Sequence, residues 1–418
     1  MFFPRVKSAW SKVKNHPHFW LGIIVALNLA LHFAVIQQPP DYVFDEKWYA
    51  ADAGNNIIQG KGTYLSQHPP LGKLIITGGI AIFGDNPFGW RIFPVLFGAA
   101  GLVLFYLICR QLTLPNKTAL LATFLLSVEN LTFIQASVAM LDVFSVTLML
   151  AAFLTYLKGR YLTTTLLIAL SALAKFTGVF AVVVIGLHWL ATNRKDWKKF
   201  IPAMAAVPAA YLLLLIPLDL IIWGKFINPI SETVTMLTIN VASTFAEINS
   251  TILSRPLDWV MTLEMVIYWL DPNYLAIISP SLWAFIIPAM GFVSYKAFKG
   301  SRAAVFCAAW FTGTYLIWIP LNLITDRTTY IFYFYPTVGA ICLAVVLSLE
   351  ALSTYFAKFT SGVMKALSNS AIPVFILLHL AAFVHLSPVP YLGKLGVGIL
   401  LYSTMRMALS ENNHFNVA

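Results

Sequence analysis

The sequence predicts an all-α protein, a polytopic bundle of transmembrane helices. Hydrophobic residues make up 59% of the 418 positions and charged residues only 11%, a balance foreign to soluble domains of this size. Apolar runs near the spanning length of about 17–25 residues recur along almost the whole chain. The runs are continuous and lack the alternating polarity of barrel strands, which excludes a β-barrel.

Hydropathy and charge together place about twelve spans, at 19–36, 90–109, 118–134, 141–157, 161–175, 177–192, 200–222, 275–295, 303–321, 329–349, 370–386 and 391–406. The first follows basic Arg5, Lys7, Lys12 and Lys14, as a signal peptide would. No small-residue cleavage pattern follows it, and Gln37-Gln38-Pro39-Pro40 stands there instead, so it reads as a retained helix. Next comes a long outer loop, 37–89. Within it the apolar stretch 71–84 is short for a span and reads as a helix lying in or dipping into the interface. The spans from 90 to 222 are joined by short turns. A second long outer loop, 223–274, holds Glu232, Glu247, Asp258, Glu264 and Asp271 and has room for a few surface helices. No linker, heptad run, low-complexity tract or internal repeat divides the chain, so residues 1–418 read as a single transmembrane domain.

Charge orients the bundle. With the basic N-terminus in the cytoplasm and sides alternating, 18 of the 27 lysines and arginines fall inside. Of the 17 acidic residues only Asp196, Glu350 and Glu411 do. The formal charge of +10 is therefore an orientation signal and not a nucleic-acid surface. Making 71–84 a span would send Arg110, Lys117, Lys158, Arg160 and the Arg194–Lys199 cluster outside, against the same rule. Cys109, Cys307 and Cys342 lie inside apolar runs. No disulfide framework, CxxC or Cys/His cluster is present, which leaves a zinc site without support.

In this topology the unusual polar residues collect at the outer edge: Asp45, Glu46, His68, Lys73, Arg91, Glu129, Asn130, Asp142, Lys175 and Arg327. Ionisable groups beside hydrocarbon are costly and mark a site by default; single members also fit helix caps or headgroup anchors. The adjacent carboxylates Asp45 and Glu46 suit a general base with a neighbour that orients the acceptor or raises its partner's proton affinity. In His68-Pro69-Pro70-Leu71-Gly72-Lys73 the prolines fix an extended approach to the short apolar helix. Lys73, Arg91, Lys175 and Arg327 suit a phosphate at the membrane surface. Glu129 and Asp142 flank a tight turn and suit a sugar hydroxyl, a divalent Mg²⁺ or Mn²⁺, or support of the base.

Taken together these residues resemble the protein O-mannosyltransferase family, part of the GT-C class of membrane glycosyltransferases. The match lies in Phe44-Asp45-Glu46, the His68-to-Lys73 run, Gly89-Trp90-Arg91, Met140-Leu141-Asp142, Lys175-Phe176-Thr177-Gly178, and Arg327-Thr328-Thr329-Tyr330 with the aromatic run to Pro336. It keeps its order over 44–336, about seven tenths of the chain. The resemblance implies a GT-C bundle with its site on the lumenal or extracytoplasmic face. It implies transfer of mannose, with inversion, from a polyprenyl-phosphate donor (dolichyl-phosphate in eukaryotes and archaea) to serine or threonine hydroxyls. The family's first acidic motif falls on Asp45 and Glu46 and its second acidic position on Asp142. Its basic positions near the donor phosphate correspond to Lys73, Arg91 and Arg327. Two positions depart: Ser137 stands where members often carry arginine, and Tyr333 is the counterpart of a histidine in the aromatic run. The 223–274 loop cannot contain the large soluble domain of eukaryotic members, so the chain looks like a short prokaryotic-type member.

The expectation is thus an integral enzyme of the cell membrane with its site facing outward, or of the endoplasmic reticulum if eukaryotic. Asp45 is the expected base, Glu46 and Asp142 orient acceptor and sugar, and Lys73, Arg91 and Arg327 meet the phosphate. No nucleotide site is needed, in keeping with the absence of a P-loop or GxGxxG. A rival reading is a related GT-C enzyme that sends another prenyl-linked sugar to a lipid, such as an aminoarabinose-type transferase. An oligosaccharyltransferase lacks its Trp-Trp-Asp-Tyr-Gly run here, Trp269-Leu270-Asp271 being no substitute. A transporter or flippase would place charges in mid-membrane and show matched broken halves.

Overall fold

Helices form where the apolar runs are, and their ends are set by local chemistry. In the computed structural model, which describes residues 18–389 except Asn193 and Asn249, the first span is Phe19–Val35. The second, Pro87–Gln111, starts on Pro87 with the Asn86 side chain accepting a hydrogen bond from the Gly89 amide, a standard pairing of proline and cap. Asp142–Leu157, Tyr161–Ala174 and Phe180–Thr192, entered through the 3₁₀ turn Phe176–Val179, follow the predicted order. Trp197–Ala205 and Val207–Trp223 form one apolar run of 27 residues, closed by Gly224 in the left-handed region. Arg302–Thr325 and Gly362–Leu386 are two more long runs. The predicted span 391–406 and the basic residues Arg5 to Lys14 lie outside the described residues.

Three expectations need correction. The span predicted at 118–134 is two helices, Asn116–Ser127 and Asn130–Ser137, bent by 61°. The second is started afresh by the Glu129 carboxylate, which accepts from the Leu131 and Thr132 amides. The span predicted at 275–295 begins instead as strand Tyr274–Ala276, paired antiparallel with Val266–Trp269. Helix resumes only at Pro280–Trp283 and Ile286–Phe298. The all-α class therefore carries one small hairpin, built from aromatic and β-branched residues that favour strands. The span at 329–349 opens as the 3₁₀ helix Ile331–Thr337, which contains Pro336, before Val338–Phe356. By length and composition five helices among the described residues can each cross a bilayer, six if the bent pair is one span. Others are shorter apolar helices, so the count of about twelve is not reached on length alone.

The first outer loop carries short helices, as expected. Glu46–Asp52 runs into a π turn at Ala53–Ile57, and Pro70–Phe83 is a fourteen-residue apolar helix. Buried Asp52 ties this loop together by accepting from the Asn56 side chain, the Thr63 hydroxyl and the Tyr64 amide. Gly72 allows the Pro70–Phe83 helix to approach closely, since a Cβ there would lie 2.8 Å from Leu141 Cδ2 and 3.0 Å from the Ala174 carbonyl oxygen. The second outer loop contains the helices Pro229–Ala242 and Asp258–Met261 and the hairpin. Backbone bonds from Phe245 to Asp326, Thr328 to Ser243 and Ser254 to Thr329 tie it to the segment that precedes Ile331–Thr337. Ile331–Phe356 is the most enclosed of the long helical runs, with Trp310 and Phe105 against its Gly339.

Candidate active site

Phe44 has φ of +48°, a region that costs a bulky residue roughly 1–3 kcal/mol. Its ring is stacked on Tyr268 at 4.2 Å and meets Phe332 edge-on, contacts that hold the turn. Beyond the turn, Asp45 precedes and Glu46 opens the Glu46–Asp52 helix, so their side chains point about 100° apart. Asp45 lines a cavity of about 450 Å³ together with Lys47, Tyr49, His68, Lys175, Asn240, Arg327 and Tyr333. No protein group hydrogen-bonds its carboxylate among the described residues. Burial raises the Asp45 pKa to about 6; the Asp142 charge adds to the rise, and Lys175 and Lys47 oppose it.

Lys175 ends the Tyr161–Ala174 helix with extended backbone and pairs with both oxygens of Asp142, at 2.7 and 2.8 Å. Its Nζ also sits 4.9 Å from the Tyr333 ring centre and 5.3 Å from that of Phe332, within cation–π range. Arg327 donates from Nη2 to Asn240 Oδ1 at 2.9 Å, while its Nε is buried with no partner among the described residues. His68 Nε2 lies 3.1 Å from the Tyr49 hydroxyl. Burial, then the charges of Lys175, Lys73 and Arg327, hold the His68 pKa well below the usual imidazole value, so it is neutral.

A second cavity of about 210 Å³ abuts the first. It is lined by Phe176, Val179, Phe180, Val241, Trp318 and Leu321, and it shares His68, Lys175, Asn240, Arg327 and Tyr333 with its neighbour. The arrangement is an apolar groove and a polar chamber with two cations in the common wall and a free carboxylate in the chamber. Asp45 and Arg327, 282 positions apart in the sequence, thus face one space.

Four predicted site residues are employed elsewhere. Glu46 and Arg91 form a fully buried bidentate pair, 2.9 Å for Nε to Oε1 and 2.8 Å for Nη2 to Oε2. Glu46 also accepts from the Val43 and Ala139 amides, and Arg91 donates to the carbonyls of Ile36, Gln38, Pro39 and Asp41. Their capacity is spent on holding the first outer loop, which leaves neither to orient an acceptor or meet a phosphate. Lys73 is buried and donates to the Leu65 carbonyl at 2.9 Å and to Thr63, bracing the same loop. Glu129 accepts from the amides of Leu131, Thr132 and Ser279; it caps a helix and anchors the hairpin's exit. Mg²⁺ or Mn²⁺ does not fit Glu129 and Asp142, because amides and an ammonium group occupy their oxygens.

Comparison with known proteins shows what the chain is similar to. The family model for dolichyl-phosphate-mannose-protein mannosyltransferases matches residues 67–223. The polyprenol-phosphate-mannose–protein mannosyltransferase of Mycobacterium tuberculosis is 25% identical over 404 residues, 75% of this chain and 77% of that protein. The enzyme of the same name from Mycolicibacterium smegmatis is 31% identical over 147 residues, 33% of this chain and 28% of that one. In fold, the Saccharomyces cerevisiae protein O-mannosyltransferase Pmt1–Pmt2 complex bound to the sugar donor aligns with a TM-score of 0.73 at 12% identity, covering 90% of each chain. The chain is thus similar in sequence to polyprenol-phosphate-mannose–protein mannosyltransferases and shares the fold of the Pmt1–Pmt2 structure. ArnT from Cupriavidus metallidurans, bound to undecaprenyl phosphate, shares the fold at a TM-score of 0.54 and 15% identity, over 91% of this chain and 78% of that one.

The two departures from the pattern of the resembled family have visible settings. Ser137 is buried and bonds the Phe133 carbonyl at 2.8 Å and His32 Nδ1 at 3.0 Å, away from either cavity. Tyr333 stacks on Trp318 and lines both cavities. Sequence reasoning missed Tyr49, Asn240 and Tyr268. Asn240 lies on the mixed helix Pro229–Ala242, among several other polar residues, and carried no distinguishing signal. The tyrosines carried no signal beyond their proximity to other aromatic residues.

Proposed function

We propose that this transferase moves mannose from a polyprenyl-phosphate donor to serine or threonine hydroxyls of proteins on the outer face of the cell membrane. The observation that carries the reading is the shared wall: Lys175 and Arg327 stand between a groove suited to a prenyl chain and a chamber containing Asp45. In this reading the prenyl chain lies along Phe180, Trp318 and Leu321, and the phosphate meets Lys175 and Arg327. The sugar projects into the chamber near His68 and Tyr49. The acceptor hydroxyl arrives from water, and Asp45 takes its proton as the oxygen bonds the anomeric carbon. The bond from that carbon to the phosphate oxygen breaks on the opposite side, so the anomeric centre inverts and polyprenyl phosphate leaves as an anion. Charge growing on the phosphate falls on cations already in place, which lowers the barrier. Asp142 fixes the Lys175 ammonium, and Asn240 fixes the Arg327 fork. The outward orientation rests on the basic residues at the opposite ends of the spans.

The test is purified protein in liposomes with polyprenyl-phosphate mannose and either a Ser/Thr peptide or a lipid acceptor, with products read by mass spectrometry. A hexose on a peptide hydroxyl is the expected product. Hexose on lipid alone would replace the protein acceptor, and no transfer from any mannose donor would remove the reading. Addition of a chelator should leave the rate unchanged, since the oxygens of Glu129 and Asp142 are engaged by protein donors.

A further inference from the structure

The Pro229–Ala242 helix presents three faces. Met236 and Asn240 are buried against the bundle. Ile230, Val234, Leu237 and Val241, at spacings of four, three and four, form one exposed stripe with exposures of 62%, 57%, 46% and 50%. Steps of four, three and four keep side chains on one side of a helix. Ser231, Thr235 and Thr238 form an exposed polar row beside it. The helix begins only five residues after the membrane span that ends at Trp223. Five residues reach about 18 Å at most, and Gly224 turns the chain with φ of +65°. The helix is therefore tethered at the membrane boundary, with Lys225 and Phe226 exposed in the connection. A stripe of four large apolar side chains beside a polar row at that depth has the build of an interfacial helix, continuous with the membrane surface of the bundle.

We infer that this helix is a lipid-binding element, with Ile230, Val234, Leu237 and Val241 seated among the acyl chains just below the outer-leaflet headgroups. The polar row faces water and the third face turns inward. There Asn240 accepts from Arg327 Nη2 at 2.9 Å and donates to the Gln67 carbonyl, and Val241 joins it in lining the apolar groove. The bilayer thus holds in place the residue that orients one of the two wall cations. This goes beyond the proposed reaction, because lipid contact is independent of which sugar or acceptor is used.

Single cysteines at Leu237, Val234 and Thr235 of the full chain test it. The native cysteines Cys109, Cys307 and Cys342 are buried and leave little labelling background. Each variant is labelled with an environment-sensitive fluorophore in phosphatidylcholine vesicles. Labels at Leu237 and Val234 should be quenched by a spin label carried near the lipid headgroup, more than by one at the chain end, and should resist aqueous iodide. The Thr235 label should show the reverse preference. Iodide quenching at Leu237 and Val234 equal to that at Thr235 would put the stripe in water. Protection of the stripe from both quenchers would show a protein, such as a second copy, covering it. Either result overturns the inference. Two stripe sites are used so that a folding defect at one still leaves a reading.

Discussion

Asp45 and Glu46 are neighbours with opposite fates. Glu46 is sealed in the core, and both of its oxygens are taken by Arg91 and two backbone amides. Asp45 opens on a cavity, its carboxylate accepts no protein hydrogen bond among the described residues, and burial raises its pKa. The difference comes from their places at the start of a helix, Asp45 just before it and Glu46 opening it, where successive side chains point about 100° apart. A saturated carboxylate holds structure, whereas one left unsatisfied next to a cation pair is available for proton transfer. Chemistry follows the unmet hydrogen-bonding capacity and not the residue type.

The sharpest way to break this comparison is Asp45→Asn. Transfer should fall by about 10²- to 10⁴-fold, the usual contribution of a general base, while the protein still folds. Turnover within tenfold of the parent would remove Asp45 from the mechanism. Glu46→Ala should do the opposite kind of damage, costing about 3–5 kcal/mol of stability because Arg91 is left buried without its counter-charge. Thermal unfolding of the purified variant reads this. Replacing Glu46 and Arg91 together by methionine should cost less than the sum of the two single changes, and a cost equal to that sum would show that the pair is not coupled.

The pH dependence comes next. Transfer should rise with pH through about 6, where Asp45 loses its proton, and fall by about tenfold for each pH unit below it. Stability should run the other way. An Asp carboxyl titrates near 3.9 when unfolded and higher in the folded chain, so the folded state gains as pH falls from about 6 toward 4. That contribution is lost as pH rises through 6. Asp45→Asn should therefore unfold at a higher temperature than the parent above pH 6 and at a similar one near pH 4. A flat rate profile between pH 5 and 7 would count against the assigned base.

Smallest is Arg327→Lys, which keeps the charge and loses the fork. The donor KM should rise by about tenfold, near the 1.5 kcal/mol of one charge-assisted hydrogen bond, with kcat less affected. A donor KM unchanged in this variant would place the phosphate elsewhere.

Much of this was legible in the sequence because its physics is local. Long apolar runs become helices whatever surrounds them, so most predicted spans appear within a few residues. The 71–84 segment was read as a short helix from its length and the charge distribution, and a helix stands there, Pro70–Phe83. Asp45, Lys175 and Arg327 were marked as ionisable groups at span ends, and the fold brings them to one cavity. Their division of labour was not legible. Nothing in Phe44-Asp45-Glu46 announces the left-handed turn at Phe44, which depends on Tyr268 and Phe332 far along the chain. Lys73 and Arg91 look like phosphate ligands until their carbonyl partners, supplied by the loop's own backbone, are seen. The 275–285 stretch is apolar enough for a span, and only its pairing with Val266–Trp269 makes it a hairpin.

The Lys175–Asp142 pair has a consequence for turnover. A lone ammonium in such a wall would clasp the spent carrier, because releasing it would strand a bare charge out of water. With its own carboxylate beside it, Lys175 is compensated before the donor docks and after the leaving anion departs. The grip on the carrier is looser for it, and slow clearance of product gives way to a site ready for the next round.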